Sequence, residues 1–370
     1  MSNTAVMSVE TTTATTAQDR RAVFAFRYDL YCRQQRMFLD VADHELGELH
    51  DHDDHAATLL IARDGDCVIG TLRANWGSNG AFSDELSEHL LLDRFIESTD
   101  PKGLVVLSRF LVAVDHRGGS VSTLLILEAA KICLERGIEV IICDCEPHLL
   151  DYYRRLGFRP YGTLFSDPTS LLVPLVLFVG DRAHLRAVDS PALGLVPEDH
   201  CPPPSDAQLS ILANASANSY GRSGGQASIE ELLERVGGAP SLLEGLSDDE
   251  IDWLTGDSFV LQFREGDVLF GEGTTTRTLY CILEGIVEIT IGGRIIAMAT
   301  RGTVIGELAM LLDRGRTATA RAATDGRALS ISDRSMIQLA ERHPQLGVKV
   351  LWNLSCILAH KLGEADSSTV

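Results

Sequence analysis

The chain has 370 residues, and its 52 acidic and 32 basic side chains give a formal net charge of −20 at pH 7. This length favours two domains over one. The acid excess disfavours nonspecific binding to DNA, RNA or an anionic membrane, so we expect no nucleic-acid partner.

Cysteine usage and hydropathy bear on the compartment. Eight cysteines are present, no two have C-x-x-C spacing, and most lie in apolar runs, which is typical of core thiols in a reducing cytoplasm. Met1–Gln18 lacks the basic start and apolar centre of a secretory signal. The longest apolar run, Leu171–Val179, is interrupted by Pro174 and is shorter than the ~20 residues of a membrane helix. We expect a cytoplasmic protein without a membrane span.

The first half of the chain alternates helical and strand patterns. Residues 1–18 are polar and predict a disordered tail, and apolar spacing from Arg21 to Phe38 predicts the first helix. Thr58–Ala62 and Cys67–Arg73 predict a β-hairpin. Later elements are expected at 82–95 (helix), 104–112 (strand), 121–136 (helix), 139–145 (strand), 148–156 (helix) and 171–179 (strand). This order predicts an α/β domain over 19–192, a mixed sheet with flanking helices.

The second half changes character. Prolines, then Ala, Asn, Ser and Gly, predict a linker over 193–228. Short strands separated by glycines predict an all-β jelly-roll-like domain over 229–364, closed by helices at 334–342 and 345–362, with a tail over 365–370.

One stretch of that second domain carries a ligand signal. Gly306-Glu307-Leu308-Ala309 is followed, nine residues after the glutamate, by Arg316-Thr317-Ala318-Thr319. A glycine, a carboxylate and a guanidinium in this order suit a phosphorylated sugar. The alternative is an Arg–Glu pair that caps a surface helix.

The same residues resemble the phosphate-binding cassette of cyclic-nucleotide-binding domains, and the resemblance extends over about Leu232–Leu362. It implies that Glu307 holds the ribose 2′-OH and that Arg316 holds the cyclic phosphate. It also implies that neighbouring residues shape the loop or donate backbone N–H groups: Gly306, Leu308, Ala309 and Ala318.

Thr317 bears on whether the nucleotide is cAMP or cGMP. In the family, alanine or serine there accompanies cAMP, and threonine occurs in cGMP-dependent kinases; we favour cAMP because threonine also supplies a phosphate contact. The base should meet the last helix, where Trp352, Asn353 and Ser355 are unranked candidates. Eight residues follow Leu362, too few for a helix-turn-helix, so DNA binding is not expected.

A second motif lies in the first domain. Arg117-Gly118-Gly119-Ser120 joins a predicted strand to a helix, as a backbone cradle for phosphates requires, and Tyr153-x-x-x-Gly157-Phe158 closes a later helix. The latter resembles the last helix of the GNAT acyltransferases. This resemblance implies that the glycine turn binds the phosphates of an acyl carrier and that Tyr153 protonates the departing thiolate. The alternative for Tyr153 is a core aromatic.

The upstream pattern resembles a GNAT-fold branch, the acyl-homoserine lactone synthases and long-chain N-acyl amino acid synthases, over roughly Arg21–Pro191. The residues that carry it are Arg21, Phe24, Arg27, Asp51, Asp54, Gly70, Arg73, Ser108, Arg109, Phe110, Asp181, His184, Ser190 and Pro191. The resemblance implies acyl-CoA or acyl carrier protein as donor. Leu107 stands where lactone synthases have a glutamate, so we expect N-acylation of another amine.

Three further features have two interpretations each. Arg27, Arg73 and Arg109 could hold a substrate carboxylate or the carrier's phosphate, or could anchor loops by salt bridges. The run His50–His55 alternates imidazoles and carboxylates, but we expect a solvated acidic loop and no metal. Cys143 and Cys145 are expected to be core thiols, not nucleophiles.

These features predict a cyclic-nucleotide-regulated N-acyltransferase. The acceptor is an amine, either small or a protein lysine as in cAMP-regulated protein acetyltransferases. The alternative is a non-enzymatic sensor whose acyltransferase-fold domain is an interaction module. Pairing as a homodimer is left open.

Overall fold

A computed structural model describes residues 9–167, 169–216, 241–256, 259–312 and 314–367. The contacts divide the chain into two compact units. The first consists of residues up to Cys145, Leu150–Gly162 and Pro174–Asn214, and the second consists of Glu146–Leu149, Thr163–Val173 and residues from Ala215 onwards.

The first eight strands form one mixed sheet. They are β1 (Val9–Thr13), β2 (Thr58–Asp64), β3 (Cys67–Trp76), β4 (Leu104–Val112), β5 (Val140–Cys145), β6 (Arg159–Pro160), β7 (Phe165–Ser166) and β8 (Leu171–Phe178). The order is β1-β2-β3-β4-β5-β8-β6, with β7 on β8. β4 and β5 are parallel, and β2, β3 and β4 are antiparallel neighbours. The predicted mixed sheet is confirmed.

Helices accompany this sheet. They are α1 (Ala17–Arg27), α2 (Asp84–His89), α3 (Asp93–Ile96), α4 (Ser120–Glu135), α5 (Leu150–Leu156), α6 (Arg182–Ala187) and α7 (Asp206–Ser216). β2 explains the layering, because its alternate side chains enter two different cores. Leu59 and Ile61 pack with Val23 of α1, whereas Leu60 packs with Leu125 of α4. The sheet is therefore covered on both faces.

The predicted disordered tail over 1–18 is wrong from residue 9 onwards. Val9–Thr13 pairs with β2 as an antiparallel edge strand, and Thr16 caps α1 by accepting from the Asp19 N–H. The run of valine and threonines is polar enough to resemble a tail, yet β-branched residues favour strands. Residues 1–8 lie outside the described part of the chain.

The predicted linker over 193–228 is wrong for its middle, which contains α7. This helix docks on the first unit: Ile211 is buried, and the Gln208 side-chain amide donates to Thr99 Oγ1 at 2.8 Å. The proline run before it resembles a linker, but helix-forming residues follow it. Residues 217–228 of the predicted linker lie outside the described residues.

The second unit contains the predicted β-roll, which is confirmed. Its strands are β9 (Phe259–Phe263), β10 (Val268–Phe270), β11 (Thr278–Glu284), β12 (Val287–Ile291), β13 (Arg294–Ala299), β14 (Val304–Ile305), β15 (Thr319–Ala322) and β16 (Gly326–Ser332). They form two four-stranded sheets, β10-β15-β12-β13 and β14-β11-β16-β9.

Four helices of this unit lie in the described part of the chain: α8 (Asp248–Gly256), α9 (Glu307–Leu312), α10 (Asp333–Arg342) and α11 (Pro344–Ser367). One face of α11, with Leu346, Val350, Leu354 and Ile357, packs into the core of the roll. α11 runs past the predicted domain end, so the tail expected at 365–370 is helical to Ser367; residues 368–370 are outside the described chain. Every helix among the described residues is too short or too polar to cross a lipid bilayer.

Candidate functional site

The central sheet opens between β4 and β5. Their parallel register covers Leu104–Val106 opposite Val140–Ile142, although β4 continues to Val112 and β5 to Cys145. Beyond this register, the other edge of β4 remains paired with β3. The edge of β4 that faces β5 is therefore where backbone N–H groups could polarise a bound carbonyl.

β4 is irregular at the same place. Its register against β3 shifts between Thr71 and Arg73, and Arg109 has φ +51°, which is rare for a residue with a side chain. The Arg109 guanidinium lies over the Phe38 ring at 4.7 Å and donates to Asp51 Oδ2 at 2.9 Å. The bulge thus directs Arg109 towards an aromatic and acidic cluster.

The glycine turn lies between β4 and α4, as predicted from the sequence. Gly118 has φ +75°, and a side chain there would meet open space. Gly119 is the N-cap of α4 and contributes no capping side chain, so the first N–H groups from Ser120 onwards have no side-chain cap. Arg117 donates from Nε to the Val112 carbonyl at 3.2 Å, which fixes the start of the turn.

Tyr153 lies on α5, beside β5. Burial raises the pKa of its phenol well above the usual range, and the nearby Cys143 and Cys145 add to this effect. The ring packs edge-to-face on Phe158, with centroids 5.4 Å apart. Tyr153 is therefore protonated at neutral pH, the state that a proton donor requires.

The end of α5 is held by three residues that the sequence motif included. His184 Nε2 donates to the Gly157 carbonyl at 3.2 Å, and Asp181 accepts from the His184 backbone N–H. Ser190 Oγ donates to the Leu156 carbonyl at 2.6 Å. These bonds fix the helix that carries Tyr153.

All three arginines predicted to contact substrate are ion-paired inside the first unit. Arg27 is 1% exposed and donates to both Asp54 oxygens at 2.8 and 2.9 Å. Arg73 is 3% exposed and donates to Asp51 and to Ser108 Oγ. The burial and ion pairs of Arg27 and Arg73 favour the loop-anchoring interpretation, because both side chains hold the 51–54 turn. Arg109 retains 22% of its side-chain surface.

The same pairs correct the prediction of a solvated acidic loop at His50–His55. Asp54 is 2% exposed, and Asp51 bridges Arg73 and Arg109. Sequence spacing could not reveal this, because the partners lie 22 to 58 residues away. Among the described residues, no group of three or more His, Cys, Asp or Glu side chains is arranged to hold a metal ion.

Asp51 makes the first unit sensitive to acid. Burial would raise the pKa of this carboxyl from 3.8, but Arg73 and Arg109 outweigh burial and lower it to about 2. A depressed folded-state pKa stabilises the protein above about pH 4, and this stabilisation is lost as the pH falls towards 2. The Asp51 side chain is a third exposed, so solvent screens part of this interaction. We therefore expect the free energy of unfolding to fall by about 1–2 kcal/mol.

Hydrogen exchange of the amides in β2 and β3 measures this effect. The difference in opening free energy between the wild type and Asp51→Asn should shrink between pH 4 and pH 2. Asp66→Asn, in the exposed hairpin turn, is the control and should show no such change. A difference that is constant across this range would contradict the assigned ion pairs.

In the second unit, the structure brings Gly306 and Arg316 together. Arg316 is 3% exposed and donates to the Gly306 carbonyl at 2.7 Å, the Thr278 carbonyl at 2.5 Å and Thr276 Oγ1 at 3.2 Å. Gly306 has φ +82°, and a side chain there would collide with the guanidinium. Burial lowers the pKa of Arg316. The guanidinium also lies over the Phe270 ring at 4.2 Å.

Glu307 begins α9 and is 5% exposed. Its Oε1 accepts from Lys361 Nζ of α11 at 2.8 Å, and the same ammonium donates to the Val304 carbonyl at 2.6 Å. The carboxylate that the motif assigns to the ribose is thus held by the terminal helix.

The remaining predicted residues occupy different environments. Ala309 and Ala318 are buried, Leu308 is half-buried and Thr317 is exposed. Of the base-contact candidates on α11, Asn353 donates to the Leu242 and Glu244 carbonyls, and Ser355 Oγ donates to the Leu351 carbonyl. Trp352 is 71% exposed. Asn353 therefore stabilises the fold through these backbone contacts, whereas the Trp352 ring is exposed.

Sequence reasoning missed Thr276, Phe270 and Lys361. The first two have no local signal, because each contacts Arg316 from at least 40 residues away in sequence, with β11–β14 in between. Lys361 has one: the buried positions of α11 recur every three or four residues up to Ile357, so the spacing predicts an apolar residue at 361. A lysine in that place indicates a buried acidic partner.

Two family models match the chain. The model described as N-acyl amino acid synthase FeeM matches residues 22–181. The model described as cyclic nucleotide-binding domain matches residues 260–343. The first covers the sheet opening, the glycine turn and Tyr153, and the second covers the cassette.

Curated relatives match part of the chain. The cGMP-dependent protein kinase egl-4 of Caenorhabditis elegans is 32% identical over 124 residues, which are 30% of this chain and 16% of the kinase. The cyclic AMP receptor protein of Thermus thermophilus is 30% identical over 134 residues, 35% of this chain and 60% of the receptor. The chain thus spans less than two thirds of each relative.

Solved structures are also similar to part of the chain. A CoA-dependent acyl-homoserine lactone synthase, BjaI, with SAM and isopentyl-CoA has 18% identity and a TM-score of 0.39, covering 55% of this chain and 97% of that one. A cyclic nucleotide-binding domain from Methylobacillus flagellatus has 23% identity and a TM-score of 0.36, covering 41% and 85%. On the two family models, the chain carries an N-acyl amino acid synthase-type domain over residues 22–181 and a cyclic nucleotide-binding domain over residues 260–343.

Proposed function

We propose that the protein is an N-acyltransferase whose rate is set by a cyclic nucleotide. The acyl group moves from acyl-CoA or acyl carrier protein to an amine in the first unit, and the nucleotide, which we take to be cAMP, binds in the second. The observation that carries the proposal is the opening between β4 and β5 within the matched synthase segment, with Tyr153 beside it.

The donor side is supported by the glycine turn. α4 is a 16-residue helix whose N-terminus has no side-chain cap, and Gly118 leaves open space in front of it. Free backbone N–H groups at the positive end of a helix favour phosphate groups. The pyrophosphate or phosphopantetheine of the donor would bind there, and its acyl end would enter the sheet opening.

The reaction then needs a balanced exchange at the carbonyl. The neutral amine nitrogen attacks the thioester carbon, a C–N bond forms and the C–S bond breaks. Tyr153 gives its proton to the departing sulfur, and the proton that leaves the amine nitrogen restores the phenol. Because the raised pKa makes Tyr153 a weak acid, its proton transfer accompanies thiolate departure and does not precede it.

The nucleotide side is supported by Arg316. Its Nε and both terminal nitrogens already donate to protein oxygens, and its five N–H groups leave one on Nη1 for a phosphate oxygen. The protein thus holds the guanidinium in place before any ligand arrives, which lowers the entropy cost of binding. The Thr317 hydroxyl is exposed beside it and can contact the same ligand.

Mass spectrometry of the products tests the acyl transfer. The full chain, expressed with cAMP present, should yield an amide whose mass equals that of the amine plus the acyl group less one hydrogen. Free thiol should be released from acyl-CoA in equal amount. If neither amide nor free thiol forms with acetyl-CoA, long-chain acyl-CoA or acyl carrier protein, the acyltransferase proposal fails. The alternative, a non-enzymatic sensor, would then remain.

A further inference from the structure

We propose that Lys361 is a positioning residue for the nucleotide site: its ammonium orients Glu307 towards the ribose and ties α11 to the cassette. The inference rests on the proposed binding of a cyclic nucleotide in the second unit. It adds a residue that lies outside the cassette motif and outside the matched segment 260–343.

The geometry is a two-point clamp. Lys361 Nζ donates to Glu307 Oε1 at 2.8 Å and to the Val304 carbonyl at 2.6 Å. Val304 lies in β14, directly before the cassette, and Glu307 is the first residue of α9. The ammonium therefore fixes both the backbone that enters the cassette and the first side chain within it.

Burial and charge explain why a cation is needed there. The Glu307 side chain is 7% exposed, and a buried carboxylate is costly unless it is paired. An anionic cyclic phosphate on Arg316 would increase that cost, because two negative charges would share one pocket. Lys361 compensates the charge of Glu307 and leaves Oε2 to accept from the ribose 2′-OH.

The position of Lys361 links ligand binding to the terminal helix. The lysine lies four residues after Ile357, which belongs to the core, so the helical period carries its stem along the same face. Its side chain is 37% exposed. A ribose bound to Glu307 is thus connected to α11 through the salt bridge between Glu307 and Lys361.

The test compares Lys361→Met with Lys349→Met in the full chain. Lys349 lies on the same helix and also pairs with a glutamate, Glu250, at 2.7 Å, so it is a matched control. The probes are cAMP and 2′-deoxy-cAMP, titrated by calorimetry. Lys361→Met should weaken cAMP binding about tenfold and reduce the preference for cAMP over its 2′-deoxy form, because Glu307 loses its orientation. Lys361→Arg should restore both, and Lys349→Met should change neither.

Each outcome decides between the claims. If the unaltered protein binds no cyclic nucleotide, the proposed ligand fails and this inference with it. If the unaltered protein binds and Lys361→Met keeps the wild-type affinity and 2′-OH preference, only the role of Lys361 is overturned. An equal loss for both nucleotides, with the preference intact, would also overturn it, because that pattern indicates general damage to the fold.

Discussion

Replacing Arg316 with alanine is expected to weaken cyclic nucleotide binding by about 100-fold, since a lost charge-assisted pair costs about 3 kcal/mol. The guanidinium is buried and already oriented by Gly306, Thr276 and Thr278, so a smaller side chain leaves nothing to replace it. Calorimetric titration with cAMP and cGMP measures the loss and also ranks the two ligands.

Two variants control for this result. Arg314→Ala removes an exposed arginine two residues earlier and should bind like the wild type. Arg316→Lys retains the charge but not the planar fork, so it should bind between the wild type and Arg316→Ala. Hydrogen exchange of β11 and β16 shows whether the roll is intact. An intact Arg316→Ala protein with wild-type affinity would remove Arg316 from the site.

Replacing Tyr153 with phenylalanine is expected to lower kcat by about 10²- to 10⁴-fold, which is the usual contribution of a general acid. The ring contact with Phe158 remains, so stability and the KM for the acyl donor should change little. The rate of thiol release from acyl-CoA in the presence of an acceptor amine measures the effect.

Tyr152→Phe is the matched control, because Tyr152 is the adjacent phenol on α5 and its ring packs edge-to-face on that of Tyr153. It should retain most of the activity. Equal kcat in Tyr153→Phe and the wild type would return Tyr153 to the alternative interpretation, a core aromatic. An equal drop of kcat in both variants would indicate that the packing of α5, and not the phenolic proton of Tyr153, determines the rate.

Local pattern predicted the elements better than it predicted the contacts. The hairpin β2–β3, the strand β4 and the helix α4 follow from apolar period and turn residues that are close in sequence. β1 and α7 could not be predicted in this way, because β1 looks like a polar tail and α7 follows a proline run. Both are held by contacts far along the chain: β1 by β2, and Gln208 of α7 by Thr99.

The same distinction applies to the candidate sites. The cassette could be found because Gly306, Glu307 and Arg316 lie within eleven residues of one another. The roles of Arg27 and Arg73 could not be predicted, because the sequence around them is compatible with substrate contact and with loop anchoring. The positions of Asp51 and Asp54, which only the fold reveals, favour loop anchoring. The clamp of Lys361 on Glu307 spans 54 residues and required the fold.

The most direct test of the account is the rate of acyl transfer as a function of cyclic nucleotide concentration. Thiol release from acyl-CoA with an acceptor amine is followed in the wild type and in Arg316→Ala while cAMP is raised. We expect the wild-type rate to change with cAMP and to saturate at the affinity measured by calorimetry, and we expect the rate of Arg316→Ala to be flat over the same range. A wild-type rate that is independent of bound cAMP, or an Arg316→Ala rate that responds as the wild type does, would contradict it.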